Sequence, residues 1–144
     1  EREDKFSLKH VVALLEKLSG RNVHFAIDCI GDAAKAVIEG ADYGDIVLLE
    51  NTRYHSEEKN GAEAFAKELA SLGDVYVNDA FGTAHRAHAS TTVMAKHFEN
   101  KMFGFLLQAE IDYLEKALNS QERPFTAIIG GAKVSDKVQV LKTC

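Results

Sequence analysis

The chain has no apolar run long enough to cross a bilayer, and no signal-peptide pattern opens it. Both absences argue against a membrane partner and point to a cytoplasmic location. Lysine and arginine form no run, and the 144 residues carry a net charge of −5. That excludes a basic nucleic-acid footprint, so an anionic small molecule would have to be held by locally placed cations. Cysteine is scarce: Cys29 and Cys144 lie far apart without metal-type spacing and read as free thiols of a reducing compartment. No internal repeat or low-complexity tract occurs. What is present is ordinary globular composition, 46 % hydrophobic and 27 % charged, which argues against disorder and allows one sizeable core.

Apolar periodicity divides the chain into short alternating elements. Leu8, Val11, Val12, Leu15 and Leu18 recur at helical spacing, with Ser7 as N-cap and Gly20 just past the end. Val23–Ile27 reads as a strand, Asp32–Glu39 as a helix closed by Gly40, and Ile46–Leu49 as a compact strand. Glu57–Asn60 reads as a solvated linker. Asn60 with Glu63 has capping-box spacing and opens a helix with Phe65, Ala66, Leu69 and Ala70 on one face, ended by Gly73. A buried strand at Val75–Val77 follows, then helices at Ser90–His97 and Leu106–Leu118, the latter striped by Leu107, Ile111, Leu114 and Leu118. Pro124 introduces a strand at Phe125–Ile129, and Ser135–Leu141 begins a last helix. Strands alternating with helices in this way predict an α/β fold with a mostly parallel sheet. The opening on a helix and the stop within one suggest a segment of a longer protein.

Three loops at predicted strand ends carry chemistry. In LLENTRYH (Leu48–His55), Arg53 lies four residues beyond the strand, where a guanidinium can grip a carboxylate or phosphate through paired donors. The alternative is a surface arginine paired with Glu50, Glu57 or Glu58, the commoner case for this motif alone. In VYVNDAFGTAHRAHAS (Val75–Ser90), Gly82 permits a tight turn, and His85, Arg86 and His88 follow within a few residues. Open α/β sheets bind ligands at such carboxyl ends. His85 and His88 have a spacing met in metal sites, but no further ligand stands at recognisable spacing. A structural histidine bonding a loop carbonyl is the plainer reading. In FTAIIGGAKVSDK (Phe125–Lys137), glycines can turn backbone N–H groups toward an anion before a helix capped by Ser135, with Lys133 and Lys137 adding charge. The spacing is neither a Walker loop nor GxGxxG, and an ordinary glycine turn fits the bare pattern equally well.

Taken in order, these three motifs closely resemble phosphoglycerate kinase from about Phe6 to the C-terminus. The resemblance implies a Rossmann-like α/β fold, incomplete relative to a two-domain enzyme. Residues 1–103 then belong to a 3-phosphoglycerate-binding domain, 104–120 to an interdomain helix and 121–144 to the start of a nucleotide domain. It implies reversible phosphoryl transfer between 1,3-bisphosphoglycerate and ADP, a glycolytic reaction giving 3-phosphoglycerate and ATP. It also implies that Arg53 and Arg86 bind substrate, and that Gly130, Gly131, Ala132, Lys133 and Lys137 bind nucleotide phosphates. The magnesium ion that accompanies ATP or ADP in the family has no acidic ligand here, and no metal is expected on these residues alone.

The family's opening strand with its catalytic arginine has no counterpart in the chain, nor has its His-Leu-Gly-Arg stretch. These 144 residues alone are therefore expected to be inactive. The family's enzymes are expected to be monomeric, whereas apolar edges left without their strands invite this chain to self-associate. A non-catalytic anion-binding module and a purely structural segment are the other readings.

Overall fold

A computed structural model describes residues 2–119 and residue 126. Ser7 accepts from the Lys9 N–H at 3.2 Å and so opens a 3-10 turn, Leu8–Val11, that continues into α1 (Val12–Ser19). Gly20 ends α1 at φ +65°, a left-handed conformation that glycine adopts without a Cβ penalty. β1 (Val23–Ala26), α2 (Gly31–Glu39) and β2 (Ile46–Leu49) form the first unit. The two strands pair in parallel, Val23 opposite Ile46 and Ala26 opposite Leu49. α3 (Ser56–Asn60) and α4 (Glu63–Ala70) lead to β3 (Val75–Asn78), then α5 (Phe81–Ala84), β4 (Asn100–Phe103) and α6 (Phe105–Asn119). β3 and β4 are also parallel, Val75 opposite Asn100 and Asn78 opposite Phe103.

The fold is thus α/β with parallel strands and flanking helices, as the alternation of elements predicts. Among the described residues, however, the strands form two separate two-stranded sheets. The last predicted strand and helix, Phe125–Ile129 and Ser135–Leu141, lie outside the described residues, as does Cys144.

Several local expectations are corrected. Glu57–Asn60 is not a solvated linker: it lies within α3, which Gly61 closes at φ +62°. The capping box at Asn60 does not form, because Asn60 is the last residue of α3. The N-cap of α4 is Ala62, without a side-chain cap bond. β3 is not buried. Val75 and Val77 are each about half exposed, since among the described residues β3 pairs only with β4 and the valine face has no cover. The Ser90–His97 helix begins as a wide π-type turn at Ala89–Val93, where Thr92 and Val93 both donate to the His88 carbonyl, and tightens to a 3-10 turn at Met94–His97. The stripe on α6 is buried at Leu107 and half-buried at Ile111, whereas Leu114 and Leu118 are exposed. β4, with polar Asn100 and Lys101 in a four-residue run, gave no strand signal in the sequence.

The core gathers Cys29, Phe65, Ala66, Leu69, Ala89 and Val93. It therefore packs α4 between the loop after β1 and the turn after β3. Burying one such leucine or phenylalanine contributes roughly 1.5–3 kcal/mol. This cluster fixes the spacing of the loops at the carboxyl ends of the strands.

Candidate functional site

Arg53 lies in a 3-10 turn, Thr52–Tyr54, just past β2. Asn51 caps that turn: its Oδ1 accepts from the Arg53 N–H at 3.0 Å, and its Nδ2 donates to the Phe6 carbonyl at 3.0 Å. The Tyr54 hydroxyl donates to the Glu3 carbonyl at 2.6 Å, so residues 2–8 wrap the turn from outside. The Arg53 backbone is thereby held from both sides while its side chain stays exposed.

Beneath the turn, Glu50 is 3 % exposed. It accepts from the Ser7 hydroxyl at 2.6 Å and from the Leu8 and Asn51 N–H groups at 2.9 and 2.7 Å, with Arg2 at 3.7 Å. Burial opposes its charge, but these donors outweigh burial and hold the carboxyl below its ordinary range. Glu50 is thus taken up by the wrap and not by Arg53. Among the described residues, Arg53 pairs with none of the three glutamates considered as its partners.

Arg86 follows α5 on the loop after β3. Its N–H donates to the Thr83 carbonyl at 2.9 Å, and its own carbonyl accepts from the Thr91 and Thr92 hydroxyls, each at 2.9 Å. Its side chain too is exposed, with no ion pair among the described residues. Both arginines therefore combine a fixed main chain with an uncommitted guanidinium, an arrangement suited to an anionic ligand.

One short helix joins the two loops. Glu58 on α3 is 2 % exposed and accepts from the Ser90 N–H at 2.9 Å and the Ser90 hydroxyl at 2.5 Å. His88 Nδ1 lies 3.8 Å from the same carboxylate, too far for a hydrogen bond. His88 thus faces Glu58 and not a loop carbonyl, and His85 is exposed. A Cβ on Gly61 would stand 2.6 Å from the Ala87 carbonyl oxygen, so the Arg86 loop lies directly on the end of α3.

A third tie reaches the loop after β1. His55 Nε2 donates to Asp28 Oδ1 at 2.7 Å, and the Cys29 N–H donates to the same oxygen at 2.7 Å. Asp28, Cys29 and His55 bring an oxygen, a sulfur and a nitrogen within 4.8 Å of one another. Burial, then the Asp28 charge, push the Cys29 thiol up to about 12, and Asp28 already accepts two bonds. These bonds make the group a brace between the loops after β1 and β2.

Glu58, Ser90, Glu50 and the Asp28–His55 pair were missed from sequence. Ser56-Glu57-Glu58-Lys59-Asn60-Gly61 did carry a helix signature, with acids in the first turn, a lysine in the last and a glycine cap. The nucleotide-loop candidates Gly130, Gly131, Ala132, Lys133 and Lys137 lie outside the described residues. An open apolar groove of about 810 Å³ is lined by Tyr76, Phe81, Thr92, Met102, Leu107 and Ile111.

A family model described as phosphoglycerate kinase matches residues 1–144. The chain is 54 % identical over 142 residues to the phosphoglycerate kinase of Anaeromyxobacter dehalogenans, covering 99 % of this chain and 36 % of that protein. It is 49 % identical over 141 residues to that of Aquifex aeolicus, covering 98 % and 36 %. Among solved structures, that of phosphoglycerate kinase from Pyrococcus horikoshii OT3 superposes with a TM-score of 0.82 at 31 % identity, covering 94 % of this chain and 35 % of that one. The phosphoglycerate kinase of Coxiella burnetii gives a TM-score of 0.78 at 38 % identity over 99 % and 34 %. The chain thus spans about a third of the length of the relatives it matches.

Proposed function

The chain belongs to the phosphoglycerate kinase family, and on that premise we propose that it supplies the 3-phosphoglycerate-binding part of a kinase. The reaction would move a phosphoryl group reversibly between 1,3-bisphosphoglycerate and ADP. In the forward direction the bond from the acyl oxygen to phosphorus breaks, and a terminal oxygen of ADP takes the phosphoryl group. ATP forms, and 3-phosphoglycerate leaves as a carboxylate. The supporting observation is the pair of guanidiniums of Arg53 and Arg86, which have no ion pair among the described residues, on fixed backbones beyond the ends of β2 and β3.

Phosphoryl transfer asks mainly for positioning and for cations around the spreading charge. Arg53 and Arg86 would grip the phosphate or carboxylate oxygens of 3-phosphoglycerate with paired N–H donors. Residues 1–103 form the substrate domain in this reading and 104–120 the connecting helix, with 121–144 opening the nucleotide domain. Lys133 and Lys137, with Gly130, Gly131 and Ala132, would face the nucleotide phosphates. We assign no magnesium ligand to Glu50, Glu58 or Asp28, because Glu50 and Glu58 are filled by protein donors and Asp28 accepts from His55 and the Cys29 N–H. The enzyme would work in the cytoplasm as a monomer.

Calorimetric titration with 3-phosphoglycerate tests the assignment. Replacing Arg53 or Arg86 with alanine should weaken binding about tenfold or more, the scale of one or two charge-assisted hydrogen bonds. Two variants that bind as the parent chain does would refute it. The 144 residues alone should form no ATP from 1,3-bisphosphoglycerate, since they span only about a third of the length of the relatives they match. Turnover in a preparation free of host enzyme would contradict that part.

A further inference from the structure

Glu58 is only 2 % exposed, one of only two buried acids among the described residues. Both of its oxygens are spent on Ser90, at 2.9 Å to the N–H and 2.5 Å to the hydroxyl. Ser90 begins the segment whose next two residues, Thr91 and Thr92, turn their hydroxyls back onto the Arg86 carbonyl at 2.9 Å each. At the other end of α3, the Thr52–Tyr54 turn that carries Arg53 is separated from the helix only by His55. A continuous path of bonded groups therefore runs from the Arg53 turn through Glu58 and Ser90 to the Arg86 main chain.

We propose that Glu58 is a positioning residue, whose buried carboxylate sets the Arg86 guanidinium relative to Arg53 so that both reach one anionic ligand. The inference rests on the reading of Arg53 and Arg86 as substrate-binding groups. The Gly61 contact supports it independently. The close approach of the Ala87 carbonyl to Gly61 fixes the residue next to Arg86 on the same helix. Two anchors three residues apart, at Ala87 and Ser90, hold the loop against rotation as well as sliding. A glutamine in place of Glu58 keeps the shape but loses the charge that strengthens both bonds.

The experiment is a double-mutant cycle of Glu58→Gln with Arg86→Ala in the full chain, read as 3-phosphoglycerate affinity well below the melting temperature. Glu58→Gln alone should weaken binding by roughly threefold to tenfold, while adding it to Arg86→Ala should weaken binding no further. A Glu58 that only stabilises the fold would lower the melting temperature and leave the affinity of folded molecules unchanged, which would overturn the proposal. An equal penalty in both backgrounds would overturn it too. Should Glu58→Gln fail to fold, Ser90→Ala removes one donor, keeps the backbone bond and carries the same comparison. If Arg86→Ala itself leaves affinity unchanged, the substrate-binding reading is what fails, and the inference falls with it.

Discussion

His55 Nε2 and Asp28 Oδ1 stand 2.7 Å apart and tie the loop after β2 to the loop after β1. Burial opposes the Asp28 charge, but the bonds from His55 and the Cys29 N–H outweigh it and leave the carboxyl below its ordinary value. A carboxyl lowered by folding contributes stability that is fully present above its unfolded value, near 4, and is lost as pH falls through the folded value. Thermal unfolding between pH 7 and pH 2 should therefore show stability falling below about pH 4. Glu50 is lowered as well, so Asp28→Asn should flatten only part of that fall. A variant with the slope of the parent chain would show that the Asp28–His55 bond does not contribute.

Gly61 and Gly20 both adopt positive φ, at +62° and +65°, but only Gly61 is crowded. Alanine at Gly20 should cost about 1 kcal/mol from backbone strain alone. At Gly61 the added Cβ would also displace the Ala87 carbonyl, raising the cost to about 2 kcal/mol or more. Denaturant unfolding of the two variants checks this. Equal losses would mean that the Arg86 loop does not rest on α3.

Cys29 is fully buried, and burial together with the Asp28 charge pushes its thiol up to about 12. At pH 8 only about one thiol in ten thousand would be ionised, and the sulfur would still be out of reach. Maleimide labelling followed by mass spectrometry of the Cys29 peptide should show almost no reaction in the native chain and rapid reaction in guanidinium. Native labelling at the unfolded rate would contradict the packing of the core.

Elements whose signals are local were legible in the sequence. β2 runs from Ile46 to Leu49 as its compact apolar run predicts, and α1 stops at Gly20. Ser7 accepts from the Lys9 N–H as an N-cap should. Failures came where tertiary partners decide. Asn60 and Glu63 have capping-box spacing, but Gly61 between them takes a left-handed turn and assigns Asn60 to the preceding helix. Val75 and Val77 are strong strand formers whose burial depends on cover that pattern cannot reveal. At the site, Arg53 and Arg86 could be picked out by chemistry and position. Glu58 could not, because Ser90, the partner that explains its burial, lies 32 residues away.

The most direct measurement is a two-dimensional amide NMR spectrum of the chain titrated with 3-phosphoglycerate. Dispersed peaks are expected, with shifts concentrated at Asn51–His55 and Thr83–Thr92, the two segments that hold Arg53 and Arg86. Dispersed peaks that ignore the ligand, or shifts confined to other segments, would contradict a joint anion site at these arginines.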